Sequence, residues 1–184
     1  MLRSIKPGVQ VVAIDDKMHQ KGDAKTKLAF VFCSGTQLEK TLNAEIDVDG
    51  LDATTVVINT LTPLKQHFRL VLVHGITVGG LNLVDIESVS DALQHPVIAV
   101  TENQPEGNAL LDAFKHVPGE QERRRIVERA GPMHVTTPRA GETSVYFYTK
   151  GITEKMAAQY LKKFAVRSRL PECLLLAHKV ATGL

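Results

Sequence analysis

The spacing of apolar residues divides this chain into segments whose order predicts its fold. Five segments rich in β-branched residues show the alternating or continuous apolar character of sheet strands. They lie at residues 9–14, 27–33, 37–48, 69–74 and 96–101. The second and third segments are joined by the tight-turn sequence SGT, which predicts a hairpin.

Between and after these strands, apolar residues recur at intervals of three and four, which indicates helices. Three such segments begin at Asp52, Asn82 and Pro105, each on a capping residue or a proline. The order predicts an α/β domain with a mixed five-stranded sheet, in which a three-strand meander is followed by helix–strand crossovers. The last third of the chain adds a basic helix (EQERRRIVERA), a hairpin-like VYFYTK, an amphipathic helix (EKMAAQYLKKFAV) and a final helix after Pro171.

Length and composition are those of one globular unit. A chain of 184 residues can bury a sizeable core without disulfides, and no repeat or linker divides it, so we expect one domain over residues 1–184. Its apolar runs are too short to span a bilayer, and charged residues and a proline near the start argue against a signal peptide. We therefore expect a cytoplasmic protein. Cys33 and Cys173 lack metal or disulfide spacing, which predicts buried free thiols.

Polar side chains with chemical potential stand where two predicted strands end. Asp15 ends the first strand in VVAIDD, and His74 ends the fourth in RLVLVHG. In open α/β sheets, ligands bind beyond the carboxyl ends of the strands. A meander followed by crossovers makes the first and fourth strands parallel neighbours, so Asp15 and His74 are predicted to lie side by side. Since successive strand residues point to opposite faces, only one of Asp15 and Asp16 faces that site, and we assign Asp15.

More acids follow the third strand and the glycine segment after His74. Converging carboxylates are costly unless a cation compensates them, and oxygen ligands favour Mg²⁺ or Mn²⁺. A divalent metal would activate water and steady a phosphate in transfer chemistry. The candidate metal ligands are Asp15, Asp47, Asp49, His74 and Asp85.

Several of these residues also have an ordinary structural explanation. Asp49, Asp52 and Asp85 lie at or near predicted helix starts, where an acid caps free amides. A lone histidine such as His74 is more often hydrogen-bonded in the structure than a metal ligand. The glycines after it lack the lysine of a phosphate-binding loop, so they can equally be turn residues.

The evidence for nucleic-acid binding is local rather than global. A net charge of +2 does not indicate it by itself. Two basic clusters are typical of solvated helix faces, although together they can follow a phosphate backbone. They comprise Arg123, Arg124, Arg125 and Arg129, and Lys162, Lys163, Arg167 and Arg169. Tryptophan is absent, so base stacking would depend mainly on Tyr146, Phe147 or Tyr148.

Five segments of the chain match a known pattern in order. They are AIDD near the start, VDGLDAT at 48–54, HGITVGGLNLVDIE at 74–87, ERRRIVERAG, and the closing RSRLPECLLLAHKVATGL. Together they resemble a mostly archaeal family of uncharacterised proteins related to endonuclease V, over nearly the whole chain. The resemblance implies a ribonuclease H-like fold and metal-dependent cutting of a DNA or RNA backbone.

The resemblance also assigns roles by position. Asp15 matches the metal-binding aspartate of the first strand in endonuclease V. The glutamate of the third strand has no secure counterpart, and Asp47 or Asp49 is the nearest acid. His74 stands where a third metal-binding aspartate is expected. Because imidazole is a good ligand for Mn²⁺ and a poor one for Mg²⁺, Mn²⁺ is favoured here.

Two functions follow from these matches and departures. The first is a divalent-metal-dependent nuclease in which Asp15, Asp49 and His74 are catalytic and Asp85 is an additional ligand. The second is a non-catalytic nucleic-acid-binding or interaction module that keeps the scaffold and has lost the metal through His74. The expected substrate-binding residues are Gly75, Gly79, Gly80, Asn82, Arg167 and Arg169.

In the glycine segment and the closing segment, this chain both keeps and changes the family pattern. Cys173 replaces a second proline, and Leu81 replaces a phenylalanine of the glycine segment. The residues that keep the closing motif are Arg167, Arg169, Pro171, Glu172 and His178. The sequence does not indicate what this motif does.

Overall fold

A mixed β-sheet forms the centre of the protein in a computed structural model that describes residues 5–104 and 108–184. Seven strands form this sheet in the order β3-β2-β1-β4-β7-β9-β8, and β5 and β6 form a separate two-stranded sheet. The strands are β1 (Gln10–Asp16), β2 (Lys25–Ser34), β3 (Gln37–Asp47), β4 (Leu70–His74), β5 (Thr77–Val78), β6 (Asn82–Leu83), β7 (Val97–Thr101), β8 (His134–Thr136) and β9 (Val145–Lys150).

Six α-helices occur in the described part of the chain. They are α1 (Ala53–Leu61), α2 (Ile86–Leu93), α3 (Ala109–Ala113), α4 (Glu120–Ala130), α5 (Glu154–Phe164) and α6 (Glu172–Thr182). Short 3-10 segments follow α1 and α3, at Thr62–His67 and Phe114–His116.

The strand directions follow the predicted plan. Strands β1, β2 and β3 form an antiparallel meander. The crossover through α1 places β4 parallel to β1, and the crossover through α2 places β7 parallel to β4. The prediction of a mixed sheet built from a meander and crossovers is confirmed.

The predicted number of strands was wrong, because the C-terminal hairpin is part of the main sheet. Strand β9 pairs antiparallel with β7, and β8 pairs with β9. Val145 and Phe147 of β9 are buried. The hairpin thus satisfies the backbone groups along the open side of β7, which would otherwise be an unpaired edge. The sheet has seven strands instead of five.

Helices cover both faces of the sheet. Val12 and Ile14 of β1 point into an apolar cluster that includes residues of α1 and α2. Val11 and Ala13, which alternate with them, point into a second cluster that includes residues of α5 and α6. Asp15 continues the series of Val11 and Ala13, so its side chain is directed to the α6 side.

The structure places the start of the second helix later than predicted. Asn82 belongs to the short strand β6, and Asp85 is the residue that caps α2. Two glycines with positive φ, Gly79 (53°) and Gly80 (82°), turn the chain back between β5 and β6. The predicted helix start at Pro105 lies outside the described residues; the helix in this region, α3, begins at Ala109.

Two smaller predictions can also be compared with the structure. Cys33 and Cys173 are buried free thiols, as predicted. In the described ranges of the chain, no helix combines the length and the apolar character needed to cross a membrane.

Candidate metal centre

Asp15 and His74 meet at the carboxyl ends of two parallel strands. Ile14 of β1 is paired with Val73 of β4, so the next residue of each strand lies at the same level. Oδ2 of Asp15 is 3.0 Å from Nδ1 of His74. The side-by-side placement of these two residues, predicted from the connection order, is confirmed.

A third residue, His178 of α6, completes the group. Its Nδ1 lies 2.9 Å from the same Oδ2 atom of Asp15. The two imidazole rings are nearly perpendicular, with centroids 5.9 Å apart. Because an ionised carboxylate only accepts hydrogen bonds, we assign both Nδ1 atoms as donors to Asp15. Sequence reasoning placed His178 in the closing motif and gave it no role.

Burial differs sharply across this group. The Asp15 side chain is 5% exposed, that of His74 is 23% exposed, and that of His178 is 59% exposed. Burial on its own lowers the pKa of His74, but the hydrogen bond to Asp15 and the charges of Asp15 and Glu102 outweigh it, so the pKa of His74 is raised. The site therefore presents a buried carboxylate behind one half-buried and one accessible imidazole.

The three side chains fit a divalent transition metal. One ligand atom from each of Asp15, His74 and His178 can be chosen so that all three lie within 4.8 Å of one another, a group that stands alone in the described ranges. One carboxylate and two imidazoles suit Mn²⁺ or Zn²⁺ better than Mg²⁺, which prefers oxygen ligands. This donor set is consistent with the preference for Mn²⁺ inferred from His74.

Asp16 points away from the two histidines and holds the glycine turn. Its Oδ2 accepts a hydrogen bond of 3.0 Å from the backbone NH of Gly79. Burial raises the pKa of Asp16, and the nearby charge of Asp15 raises it further, while the Gly79 hydrogen bond lowers it. The two neighbouring aspartates thus have different tasks on opposite faces of β1.

Asp47 and Asp52 form a hydrogen-bonded network with Asn82 instead of joining the group around Asp15. Nδ2 of Asn82 donates to the carbonyl of Asp47 (2.9 Å) and to Oδ1 of Asp52 (2.6 Å). Oδ1 of Asn82 accepts from the backbone NH of Ala53 at the start of α1. Asn82 therefore ties the loop after β3 to strand β6. A metal role for Asp47 remains a prediction that this geometry does not support.

Asp49 belongs to the same loop and contacts the glycine turn. Its Oδ1 accepts a 2.8 Å hydrogen bond from the NH of Leu81, and its NH donates to the carbonyl of Gly79. Its backbone has a positive φ of 54°. The exposed carboxylate of Asp49 does not belong to the ligand group of Asp15, so its metal and catalytic roles also remain predictions.

Gly80 is the more crowded of the two glycines in this turn. A Cβ atom added there would lie 2.4 Å from Oδ1 of Asp49. Gly79, by contrast, is buried against Ile46 and Thr26. Gly75 directly follows β4, and its NH donates to the carbonyl of Val100. These three predicted substrate-binding glycines shape the loops around the site, and substrate contact by them remains a prediction.

Asp85 is occupied by structural hydrogen bonds. Its Oδ1 accepts from the NH groups of Glu87 (3.1 Å) and Ser88 (3.3 Å) at the start of α2. Its Oδ2 accepts from the Ser88 hydroxyl (2.7 Å) and from Nε of Arg129 (2.9 Å). These contacts match the capping alternative for Asp85, and a metal role remains a prediction without a geometric basis.

The two arginines of the closing motif make different ion pairs. Arg167 pairs with the buried Glu172 at the start of α6, through Nε at 2.6 Å. Arg169 donates through Nε to Oε1 of Glu102 (2.9 Å), just after β7, and through Nη1 to the carbonyl of Ser144 (3.3 Å). Arg169 and Glu102 line an open cleft together with Tyr146.

A cavity of about 230 Å³ lies beside this centre. Apolar groups form most of it, and side chains able to hydrogen bond stand at one side. Its lining includes Gly75, Ile76, Ala99, Leu110 and Tyr148, with Thr101, Asn103 and Gln104 as the polar groups. Sequence reasoning considered Tyr148 only as a stacking surface and did not identify this cavity.

Archaea contain proteins with sequences similar to this chain. The profile of the family described as Endonuclease dU matches residues 7–184. A UPF0215 protein of Methanopyrus kandleri is 35% identical over 185 residues, which cover 99% of this chain and 94% of that protein. A UPF0215 protein of Methanosarcina barkeri is 34% identical over 183 residues, covering 98% and 92%.

Known structures share the fold at two levels of similarity. A protein of unknown function from Archaeoglobus fulgidus has a TM-score of 0.85 at 30% identity, covering 95% of this chain and 97% of its own. Human endonuclease V has a TM-score of 0.63 at 12% identity, covering 95% and 83%. Endonuclease V of Ciona intestinalis, solved with an inosine-containing DNA, has a TM-score of 0.61 at 10% identity, covering 95% and 85%. The fold is that of endonuclease V, and the chain belongs to the endonuclease dU family.

Proposed function

We propose that this protein is a divalent-metal-dependent nuclease that hydrolyses a phosphodiester bond in nucleic acid. The observation that carries the proposal is the contact of one Asp15 oxygen with Nδ1 of both His74 and His178. This group stands at the carboxyl ends of parallel strands, where ligands bind in α/β sheets, and it stands on a fold shared with endonuclease V.

Asp15, His74 and His178 would hold the cation, with Mn²⁺ favoured over Mg²⁺. When bound, a dication supplies an acidified water and neutralises charge on the phosphate oxygens. Without a cation, the buried Asp15 fixes the orientation of both imidazoles, since each Nδ1 donates to it. These two protons would be released if the same atoms held a cation. His178, with 59% of its side chain exposed, is the member of the group most accessible to a substrate phosphate.

We further propose that the substrate is DNA with a deaminated base. Two findings support this choice: the family name refers to dU, and the endonuclease V of Ciona intestinalis was solved with inosine-containing DNA. Uracil and hypoxanthine both arise by base deamination. The cavity beside Gly75 offers an apolar wall with Tyr148 and polar groups from Thr101, Asn103 and Gln104. Such a combination suits a base that has left the stack and is recognised by its polar edge.

The same proposal covers the finer features of fold and substrate contact. The meander followed by two parallel crossovers is the strand plan of a ribonuclease H-like domain, and we infer that description for this chain. Gly75 lines the cavity and Arg169 lines an open polar cleft with Glu102 and Tyr146. We propose these two residues as substrate contacts.

A second function, a non-catalytic nucleic-acid-binding or interaction module, is favoured by one specific observation. The Oδ2 atom of Asp15 already accepts two imidazole hydrogen bonds, so the group is satisfied without an ion. His74 also takes the place of a third acid that would raise the negative charge of the site. A protein of this kind would bind nucleic acid without cutting it.

Cleavage assays separate the two functions. End-labelled strands carrying deoxyuridine, deoxyinosine or only ordinary bases would be incubated with Mn²⁺, Mg²⁺ or EDTA, as DNA and as RNA. The nuclease proposal predicts cleavage with Mn²⁺ that Asp15→Asn and His178→Gln reduce by about 100-fold or more, the scale on which the loss of one catalytic stabilising group is felt. Asp91→Asn, an exposed acid of α2, is the matched control and should cleave like the unaltered protein.

Two results would reject the nuclease proposal. One is retention of Asp15→Asn cleavage at the unaltered rate, which would place the activity elsewhere or in a contaminant. The other is strand binding without cleavage under every metal condition, the result that the non-catalytic module predicts.

A further inference from the structure

Met18 is an apolar side chain held in solvent at the entrance of the candidate metal centre. It lies in the β1–β2 loop (residues 17–24) and is 89% exposed, whereas the other exposed large apolar residues within 5–104 and 108–184 are 45–57% exposed. A single exposed apolar residue is ordinary on a protein surface, but the location of this one is not. Met18 lines the same hollow as Asp15, His74 and His178.

The chain around Met18 is strongly basic. Residues 17–27 (KMHQKGDAKTK) contain four lysines and one aspartate, a formal net charge of +3 in a chain whose total is +2. In the described residues, Lys25 pairs with Glu45, while Lys17, Lys21 and Lys27 form no ion pair. A second hollow adjoins the first; its charged lining consists of Lys17, Lys25 and Lys27 with the acids Asp23 and Glu45. The three lysines without an ion pair and the net charge of the segment favour a polyanion as the partner of this loop.

Hydrogen bonds hold the loop in a defined conformation. The NH of Lys17 donates to the carbonyl of Lys27 (2.8 Å), and the Thr26 hydroxyl donates to the carbonyl of Lys17 (2.8 Å). Asp23 closes the tip, since its Oδ2 accepts from the NH of Gln20 (2.8 Å) and its NH donates to the Gln20 carbonyl (3.1 Å). These hydrogen bonds fix the backbone next to Met18. A fixed backbone is needed if the Met18 side chain is to hold two stacked groups apart.

We propose that Met18 inserts between stacked bases of duplex DNA and so helps a nucleotide to leave the stack beside Asp15. Apolar side chains, methionine among them, act as wedges in this way and repay the energy of unstacking through the contacts that follow. Lys17 and Lys27 hold the flanking phosphates. This inference rests on the proposed function, because it supplies the step that exposes a base within the duplex to the metal centre.

Nucleic acid is favoured over a protein partner by the charge around Met18. A protein interface would be expected to surround a central apolar residue with further apolar groups and few charges. Here the groups around Met18 are mostly charged: Lys17, His19, Lys25 and Lys27, with the acids Asp23 and Glu45. The partner that fits is a polyanion with flat apolar surfaces, which describes stacked bases between phosphates.

The test compares duplex and single-stranded substrates, because a single strand needs no wedge. For each substrate, cleavage of a deoxyuridine strand would be measured for the unaltered protein, Met18→Ala, Met18→Leu and Val135→Ala. Val135 is the matched control, an apolar residue of β8 that is 57% exposed. We expect Met18→Ala to slow duplex cleavage about tenfold or more, in line with an unstacking cost of a few kcal/mol. Single-strand cleavage should change less than about twofold, and Met18→Leu should restore most of the duplex rate.

A binding measurement makes the result independent of cleavage. In the Asp15→Asn background, 2-aminopurine placed beside deoxyuridine in a duplex would report unstacking as a rise in fluorescence. Adding Met18→Ala should abolish the rise, and adding Val135→Ala should not. Equal fluorescence with and without Met18, or equal loss of cleavage on both substrates, would overturn the wedge. So would a Met18→Ala variant that changes the mass in light scattering, since Met18 would then bind a second copy of the chain.

The two proposals fail in different ways. If Met18→Ala cleaves duplex DNA as fast as the unaltered protein, the nuclease proposal stands and the proposal for Met18 is wrong. If base unstacking depends on Met18 but no metal ion supports cleavage, the proposal for Met18 stands and the nuclease proposal is wrong.

Discussion

Oδ2 of Asp15 lies 3.0 Å from Nδ1 of His74, although the two residues are 59 positions apart in the chain. The contact follows from the parallel pairing of β1 with β4, which sets the end of one strand against the end of the other. It couples a buried carboxylate to a titratable imidazole, and so it has consequences for stability and for metal binding alike.

The first consequence is a pH dependence of the metal-free protein. Burial alone would lower the pKa of His74, but the Asp15 hydrogen bond and nearby negative charges raise it overall. Because the pKa of His74 is higher in the folded protein than in the unfolded chain, its protonation stabilises the fold. This stabilisation is complete at a pH below the unfolded-state pKa of about 6.5 and is lost as the pH rises through the folded-state pKa. We predict that the melting temperature in EDTA falls over that range and that His74→Gln flattens the fall. An unchanged slope in His74→Gln, with the exposed His67→Gln as control, would contradict this.

A second prediction concerns the buried Arg123 of α4. Arg123 is 1% exposed, and its guanidinium donates to the backbone carbonyls of Asp49, Gly50 and Leu81, which joins the loop after β3 to the glycine turn. Arg123→Met would remove the donor of all three hydrogen bonds. We predict a loss of about 3 kcal/mol in the free energy of unfolding, measured in urea. Arg125→Met, on the exposed side of the same helix, should change it little; equal effects would contradict the assigned role.

Gly80 and Gly141 offer a matched test of the packing of the glycine turn. Both have a φ of 82°, but a Cβ at Gly80 would lie 2.4 Å from Oδ1 of Asp49, whereas one at Gly141 would meet nothing within 4 Å. Alanine at Gly141 should cost only the backbone strain of about 1–2 kcal/mol. Alanine at Gly80 should cost at least about 1 kcal/mol more, as expected for overpacking. Equal unfolding free energies for the two variants would show that the turn is loose.

The contacts of Asp85 predict a structural effect without a metal effect. The side chain is 4% exposed and accepts from the first turn of α2 and from Arg129. Asp85→Ala should lower the free energy of unfolding by about 2 kcal/mol, the upper range for a lost helix cap, and leave Mn²⁺ affinity unchanged. Asp91→Ala in the same helix is the control. A large fall in Mn²⁺ affinity with stability intact would instead support the role of Asp85 as a ligand.

The part of the site that sequence predicted came from topology. Apolar runs of β-branched residues identified β1 and β4, and the rule that crossovers link parallel neighbours brought Asp15 to His74. His178 could not be placed in this way, because it lies 163 residues from Asp15. Its position depends on how α6 docks on the sheet. A histidine four residues after the buried Leu174 was the available signal, since residues at that spacing share a helix face.

Short-range competition explains the other differences between sequence and structure. Asn82 and Asp85 are both residues that commonly cap helices. Asn82 belongs to the two-residue strand β6, and α2 therefore begins after Asp85. The hairpin of β8 and β9 has ordinary strand residues, but nothing local specifies that it pairs with β7. The first outcome depends on the local pairing of β5 with β6, and the second on a pairing between segments far apart in the chain, and residue periodicity encodes neither.

Calorimetric titration with Mn²⁺ tests the central claim most directly, because it measures the cation site without any assumption about substrate. We predict one site in the unaltered protein, no detectable binding in Asp15→Asn, and affinity lowered about tenfold or more in His178→Gln, which removes an exposed ligand and should leave the melting temperature unchanged. An unaltered protein that binds no Mn²⁺, or an Asp15→Asn protein that binds it equally well, would contradict the account.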